Sequence, residues 1–465
     1  MRARSVRIPV VVLASGLALA ACAQGSGGNG GTGGGDEGGA SFDSEAELSG
    51  ELEIMGFGLG DDVAESRYAV AEEALGDGVD ITLVEGALDI QQFLTAVASG
   101  DAPDVIYAAR DQIGTFASRG AIIPLAECIE GEGIEIDNYR EHAVEQVTFA
   151  DEVYGIPEFN SIQITMANAD LLSAAGLSVE DVNGSDWEAI TAANEALMVN
   201  DGSLSVIGYD SKLPEFLPLW ARSNGVDLIS EDGRTAQIND PAVVEALEFA
   251  LGIYETQGGF GAVKALRDAA DAFGAENQFA SGVLGAMPME QWYINVLNDV
   301  SPDAPLTFDT LRDKEGETIA FAGGSAWAVT EGAANPEAAC RFARAMTELD
   351  TWTAAAENRI ALREAEGGTF TGILTGRSDA DEAIREMVPS TGDEKWDSAI
   401  EAMYEANENS FAYPASAADN EFKTAWNDAV NRVLNGQEEP QAALDRAQEE
   451  AQSALDQAWA EWDEE

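Results

Sequence analysis

Two groups of side chains could do chemistry on a bound molecule: nine tryptophans, which offer flat apolar faces, and 85 carboxylates. Only 24 lysines and arginines oppose the carboxylates, leaving a formal net charge of -61. Histidine is nearly missing. His142 alone would have to serve any Ser-His-Asp triad, and metal sites built on several histidines are ruled out. Its setting, between Glu141 and Ala143, reads as an exposed helix position without a catalytic role. The glycine clusters Gly56–Gly60 and Gly258–Gly261 lack the spacing and the lysine of a phosphate-binding loop, and read as turns. The charge excludes docking on nucleic acid by phosphate neutralisation, and it repels the folded part from anionic lipid. Because the acids are spread along the chain, they read as a solvated surface; steering of a cation into an acidic cleft is the alternative.

Positioning such groups takes a core, and 45% apolar residues can build one. A chain of 465 residues has the length for two large lobes. From residue 51 strand and helix signals alternate: strands over Glu51–Phe57, Asp80–Val84 and Asp104–Ala108, with helices to Leu75 and over Ile90–Ala98. That alternation predicts βαβ units and a parallel sheet, whose ligands bind beyond the C-terminal strand ends. Asp61, Asp62, Arg110 and Asp111 then lie at one rim. Pro157 makes the segment around Ile156 extended, and the strand Ser161–Ala167 leads into a short helix stopped by Gly176. Asp240-Pro241 and Asn335-Pro336 each open a helix with a cap residue and a proline at its first position. Residues 440–465 read as one long amphipathic helix, and Trp187, Trp352, Trp426, Trp459 and Trp462 as packing residues.

The chain begins as an export signal: Arg2, Arg4 and Arg7, then an apolar run from Ile8 too short to span a bilayer comfortably. It ends in Leu19-Ala20-Ala21-Cys22, which resembles a bacterial lipobox, so residues 1–21 would be removed and Cys22 lipidated. Several acyl chains give stable attachment. Ten of residues 23–40 are glycine, and 22–48 read as a flexible tether. Cys128 and Cys340 remain, either as a disulfide or as two buried thiols.

The stretches Phe93–Leu125, Glu152–Leu177, Phe279–Tyr293 and Phe321–Met346 resemble, in order, segments of the bacterial extracellular solute-binding proteins, family 1, the maltose-binding type. The resemblance covers most of residues 51–350 and is weaker over 358–420. It implies an α/β, type II periplasmic-binding-protein-like fold, each lobe a sheet flanked by helices, joined by a multi-strand hinge that closes on a ligand. The N-terminal lobe would be 49–157 plus about 310–358, and the C-terminal lobe 158–309 plus about 359–465. Crossings are expected near Ile156–Glu158, near Leu306–Ile319 and after about residue 358.

The resemblance also implies a role: a lipid-anchored carbohydrate-binding component of an ABC importer on the extracellular face of the membrane. It would be a monomer, without cofactor, metal or catalysis, handing an oligosaccharide to the permease. A cationic solute such as a polyamine, and a lipid-anchored glycoside hydrolase, are the alternatives. Sugars stack their CH faces on aromatic rings, and their hydroxyls need carboxylates, amides and backbone groups. At the family's stacking turn stand Trp292 and Tyr293. Trp327 follows Gly324 and Ser325, where missing side chains permit close approach. Glu158, Phe159 and Asn160 fall at the cleft floor, and Trp220 lies in the second lobe's helical region.

Overall fold

The computed structural model describes residues 42–464, so the signal segment 1–21, Cys22 and most of the tether lie outside the described residues. Ten strands make its two main sheets: β1 (Gly50–Met55), β2 (Val79–Val84), β3 (Val105–Ala109), β4 (Ile156–Ser161), β5 (Gln163–Asn168), β6 (Val199–Asn200), β7 (Leu204–Tyr209), β8 (Leu284–Glu290), β9 (Leu306–Thr310) and β10 (Gly323–Val329). The first sheet has the order β2-β1-β3-β10-β4 and the second β9-β5-β8-β7-β6. The helices used below are α1 (Asp62–Leu75), α2 (Ala126–Glu132), α3 (Pro336–Thr347), α4 (Leu349–Glu366), α5 (Ser378–Met387), α6 (Glu394–Glu408), α7 (Asp419–Leu434) and α8 (Pro440–Glu464).

The parallel pattern holds for β2, β1 and β3, with Leu52 beside Ile81 and Ile54 beside Val105. It does not hold for the whole sheet. β10 runs antiparallel to both β3 and β4, because these strands carry the chain between sheets rather than closing βαβ units. The inward residues Leu52, Ile54, Val105 and Trp327 are wholly buried and meet Phe342 and Met346 from α3. The caps expected at Asp240 and Asn335 act as their chemistry requires, and Asp61, expected at the rim, is a cap as well. Asp61 accepts from the Ala64 amide at 2.8 Å, Asp240 from Ala242 at 2.8 Å and Asn335 from Ala338 at 3.4 Å.

Only Ile162 separates β4 from β5, so the first crossing falls at Ser161–Gln163, a little beyond Ile156–Glu158. The extended backbone around Pro157 is itself a strand of the first sheet. The second crossing runs from Thr310 to Gly323. The third comes well past residue 358: α4 packs on α1 and α5 on α4, while α6 lies against β9 and β5. α4 is one continuous 18-residue helix, so the chain cannot change lobe at its middle.

Cys128 on α2 and Cys340 on α3 form a disulfide with a Cα–Cα distance of 5.8 Å. Beside it Arg341 donates to the Asp43 and Ala46 carbonyls at 2.6 and 2.9 Å and pairs with Glu132 at 3.2 Å. Residues 42–48, counted with the tether by composition, therefore lie against the body, with Phe42 and Leu48 packed on the first core. A Cβ on Gly131 would sit 2.2 Å from the Phe42 carbonyl oxygen, so this close approach requires glycine.

Candidate functional site

Two cavities open where β1, β3 and β8 end and β4, β5 and β10 cross between the sheets, which is where open α/β sheets bind ligands. One, of about 350 Å³, is lined by Arg110, Asp111, Ser161, Gln163, Glu215, Phe216, Glu290, Gly323, Gly324, Tyr413, Lys423 and Trp426, among others. The second, of about 420 Å³, is lined by Phe57, Asp61, Arg67, Tyr107, Glu158, Phe159, Gln291, Trp292, Asn295 and Arg359, among others. Both volumes are in the range of small-molecule sites.

The wall between them is a buried polar seam. Arg110, at the end of β3, donates to the Asn160 side chain at 2.6 Å and to the carbonyls of Phe159 and Gly323. Asn160 in turn donates to Asn407 at 2.6 Å. Gln291 closes the seam, accepting from the Ile162 amide at 2.9 Å and donating to the Asn160 carbonyl at 3.0 Å. Arg110 is wholly buried, which lowers its pKa to about 10, against the opposing pull of Tyr107, Asp111 and Glu158; it stays charged at neutral pH. A Cβ on Gly324 would lie 1.9 Å from the Phe159 carbonyl, so the bare backbone there is what lets β10 and β4 meet.

The cleft's carboxylates are partnered. Glu158 is buried, accepts from the Tyr107 hydroxyl at 2.5 Å and pairs with Arg67, whose guanidinium lies over the Trp352 ring. Burial, then the Glu158 charge, pushes the Tyr107 hydroxyl well above its ordinary pKa. Burial also acts to raise Asp62, but Arg359, bonded to it at 2.9 and 3.1 Å, holds it below its usual value. Lys423 bonds Asp111 at 2.6 Å, and Lys212 lies 3.0 Å from Glu215. Glu290 is raised by burial, opposed by Lys212 and by the Trp292 indole, which donates to it at 3.1 Å.

Trp292 is half-buried and lines the second cavity. Phe159, Glu158 and Asp61 line the same cavity, Asp62 stands behind it on Arg359, and Arg110, Asp111 and Gly324 line the other. Ser325 lies next to Gly324 but is not a lining residue, and Asn160 belongs to the seam.

Three aromatic expectations are corrected. Trp327 is wholly buried among Phe57, Tyr107 and Phe342 and has no free face. Trp220 is also wholly buried and donates to the Ser211 carbonyl at 2.8 Å. The Tyr293 ring is core too, its hydroxyl donating to the Ala272 carbonyl at 2.7 Å. His142 is half-buried rather than exposed, in a polar cavity of about 900 Å³ that shares Tyr413 with the first. Of the packing tryptophans, Trp352, Trp426 and Trp459 are buried, Trp187 and Trp462 partly so; Trp426 also lines the cleft. Sequence reading did not find Arg67, Arg359, Lys423, Glu215 or Glu290. All five are charged side chains in a chain crowded with charge.

The sequence profile of the family described as bacterial extracellular solute-binding protein matches residues 60–351. A maltooligosaccharide ABC transporter solute-binding lipoprotein of Streptococcus pneumoniae serotype 4 is 26% identical over 300 residues, 60% of this chain and 64% of that protein. The matched part thus spans less than two thirds of that relative. A maltodextrin-binding protein of Bacillus subtilis is 24% identical over 358 residues, covering 73% and 79%. Among solved structures, CpMnBP1 with mannobiose bound superimposes with a TM-score of 0.70 at 18% identity, over 86% of this chain and 99% of that one. The GacH receptor of Streptomyces glaucescens gives 0.68 at 19%, over 88% and 99%. These likenesses give the chain the two-lobe, type II periplasmic-binding-protein-like fold.

Proposed function

The chain belongs to the bacterial extracellular solute-binding protein family, and from that membership we propose that it is the carbohydrate-binding component of an ABC importer. Its ligand is an oligosaccharide held between the lobes and delivered, unaltered, to a membrane permease. Cys22 carries the lipid anchor, and the folded part works as a monomer on the outer face of the membrane. The lobes divide near Ile162, between Thr310 and Gly323, and past Met387.

The observation that carries this reading is the wall of the second cavity. The half-buried Trp292 ring stands beside a carboxylate (Asp61), an amide (Asn295) and a guanidinium (Arg359). A stacking face set among hydrogen-bonding groups of both kinds is what a pyranose needs. The relatives named for maltooligosaccharide and maltodextrin, and the mannobiose-bound structure, support the same ligand class. A cationic ligand is favoured by the overall charge alone, and Glu158, Asp111 and Glu215 among the cleft acids already have basic partners.

Calorimetric titration with maltose through maltohexaose, mannobiose, mannotriose and lactose, at low and high salt, tests the proposal. Saturable binding that salt barely changes is the expected result. Silence toward every sugar together with salt-sensitive binding of spermidine would overturn it.

A further inference from the structure

Trp292 has an aromatic neighbour outside the cavity it lines. Phe273 lies with its ring 7° from parallel to the Trp292 ring and 6.2 Å away, centroid to centroid. At 65% it is the most exposed large apolar side chain among the described residues. The loop that carries it is pinned on both sides. The buried Tyr293 hydroxyl holds the Ala272 carbonyl at 2.7 Å. The wholly buried Asn277 donates to the Gly274 carbonyl at 3.1 Å and to Ser301 Oγ at 2.8 Å, and accepts from the amides of Phe279 and Ala280. Phe273 is therefore held outward by a fixed backbone. A phenyl ring kept in water forgoes the gain of burial, and a lone exposed ring is ordinary; what sets Phe273 apart is that it lies near-parallel to a tryptophan of the cavity wall. Phe273 is not itself a lining residue of the second cavity, but its ring runs near-parallel to one that is.

We propose that Phe273 is an outer stacking residue, which takes the terminal sugar of an oligosaccharide long enough to extend past Trp292 and so sets a preference for chain length. This rests on the carbohydrate reading above. Tyr293 acts through the Ala272 carbonyl and is a positioning residue. A stacked ring of this kind changes affinity about 3- to 10-fold.

The test is calorimetric titration of the wild type, Phe273→Ala and Phe273→Tyr with two homologous series, maltose to maltohexaose and mannobiose to mannohexaose. In the series that binds, Phe273→Ala should leave the disaccharide unchanged and weaken the longest members about 3- to 10-fold, and Phe273→Tyr should restore them. An equal effect at every length, or none, overturns the proposal while leaving the carbohydrate reading intact. A wild type that binds neither series overturns both.

Discussion

Replacing His142 with glutamine should make the protein markedly less sensitive to mild acid. Burial, then the charges of Arg110 and Arg140, lowers the imidazole pKa from 6.5 to about 3, against a smaller opposing bond from Asn160. The sign follows from linkage. A group whose folded pKa is depressed contributes stability that is present above its unfolded pKa and is lost as pH falls toward the folded one. Between pH 6.5 and 3 the unfolded chain takes up a proton that the folded chain refuses. At pH 5 the difference is about 2 kcal/mol, rising to about 4 kcal/mol near pH 3, where the folded imidazole is itself half protonated. Other groups move in the same range with the opposite sign. Asp381, raised by burial to about 6 against the pull of Arg140, protonates in the folded state first and favours it as pH falls. That contribution is common to both proteins and cancels in the difference. Urea unfolding at pH 7.5 and pH 5 is the assay: the wild type should lose about 2 kcal/mol relative to His142→Gln over this interval. Since this is the sole histidine, one imidazole resonance in a tag-free preparation reports the titration directly. Parallel stability curves, or a resonance midpoint near pH 6.5, would refute the reasoning.

Two further outcomes follow from the geometry. Replacing Cys128 and Cys340 together by serine should lower stability by about 2–4 kcal/mol, the usual range for a bridge that closes a long loop. It should also speed proteolysis within residues 42–48, since Glu132 and Arg341, which hold that segment, sit on the two bridged helices; limited digestion read by mass spectrometry checks this. Gly324→Ala should cost a few kcal/mol, because its Cβ would drive into the Phe159 carbonyl and the Arg110 guanidinium. Sugar affinity should fall with it, in calorimetry on whatever fraction stays folded.

Most of the framework was legible locally. The strand and helix alternation of residues 51–109 and the caps at Asp240 and Asn335 rest on short-range rules, and the structure matches them to within a few residues. The crossings were less so, since whether Ile156–Ser161 belongs to a sheet or to a linker depends on β10, which arrives more than 160 residues later. The aromatic residues divide for reasons that strand alternation alone does not give. Gly323 and Gly324 both line the cavity and the register shifts between Gly324 and Ala326, so only the packing of Trp327 against Phe57, Tyr107 and Phe342 places it in the core. Trp292 instead stands just past the end of β8, where a side chain can meet the cleft. Arg67, Arg359 and Lys423 had no such signal. Each is a helical residue whose partner lies on another segment, and only tertiary packing brings the pairs together.

That pairing bears on how a chain of net charge -61 could bind a neutral guest. Over the whole sequence 85 acids face 24 bases, yet the two cavities are lined by six acids (Asp61, Asp111, Glu158, Glu215, Glu290, Asp419) and four bases (Arg67, Arg110, Arg359, Lys423). Two of those six, Glu290 and Asp419, have pKa values raised by burial, which moves the local balance further toward neutrality. The scarce basic residues are thus concentrated at the cleft, and the excess negative charge lies elsewhere on the surface. A cation steered by the surface would find Asp61, Asp111, Glu158 and Glu215 already paired with arginine or lysine, whereas a sugar hydroxyl can use both members of each such pair, donating to one and accepting from the other. The same arrangement keeps the wall rigid, since each paired carboxylate is held by its partner before any ligand arrives.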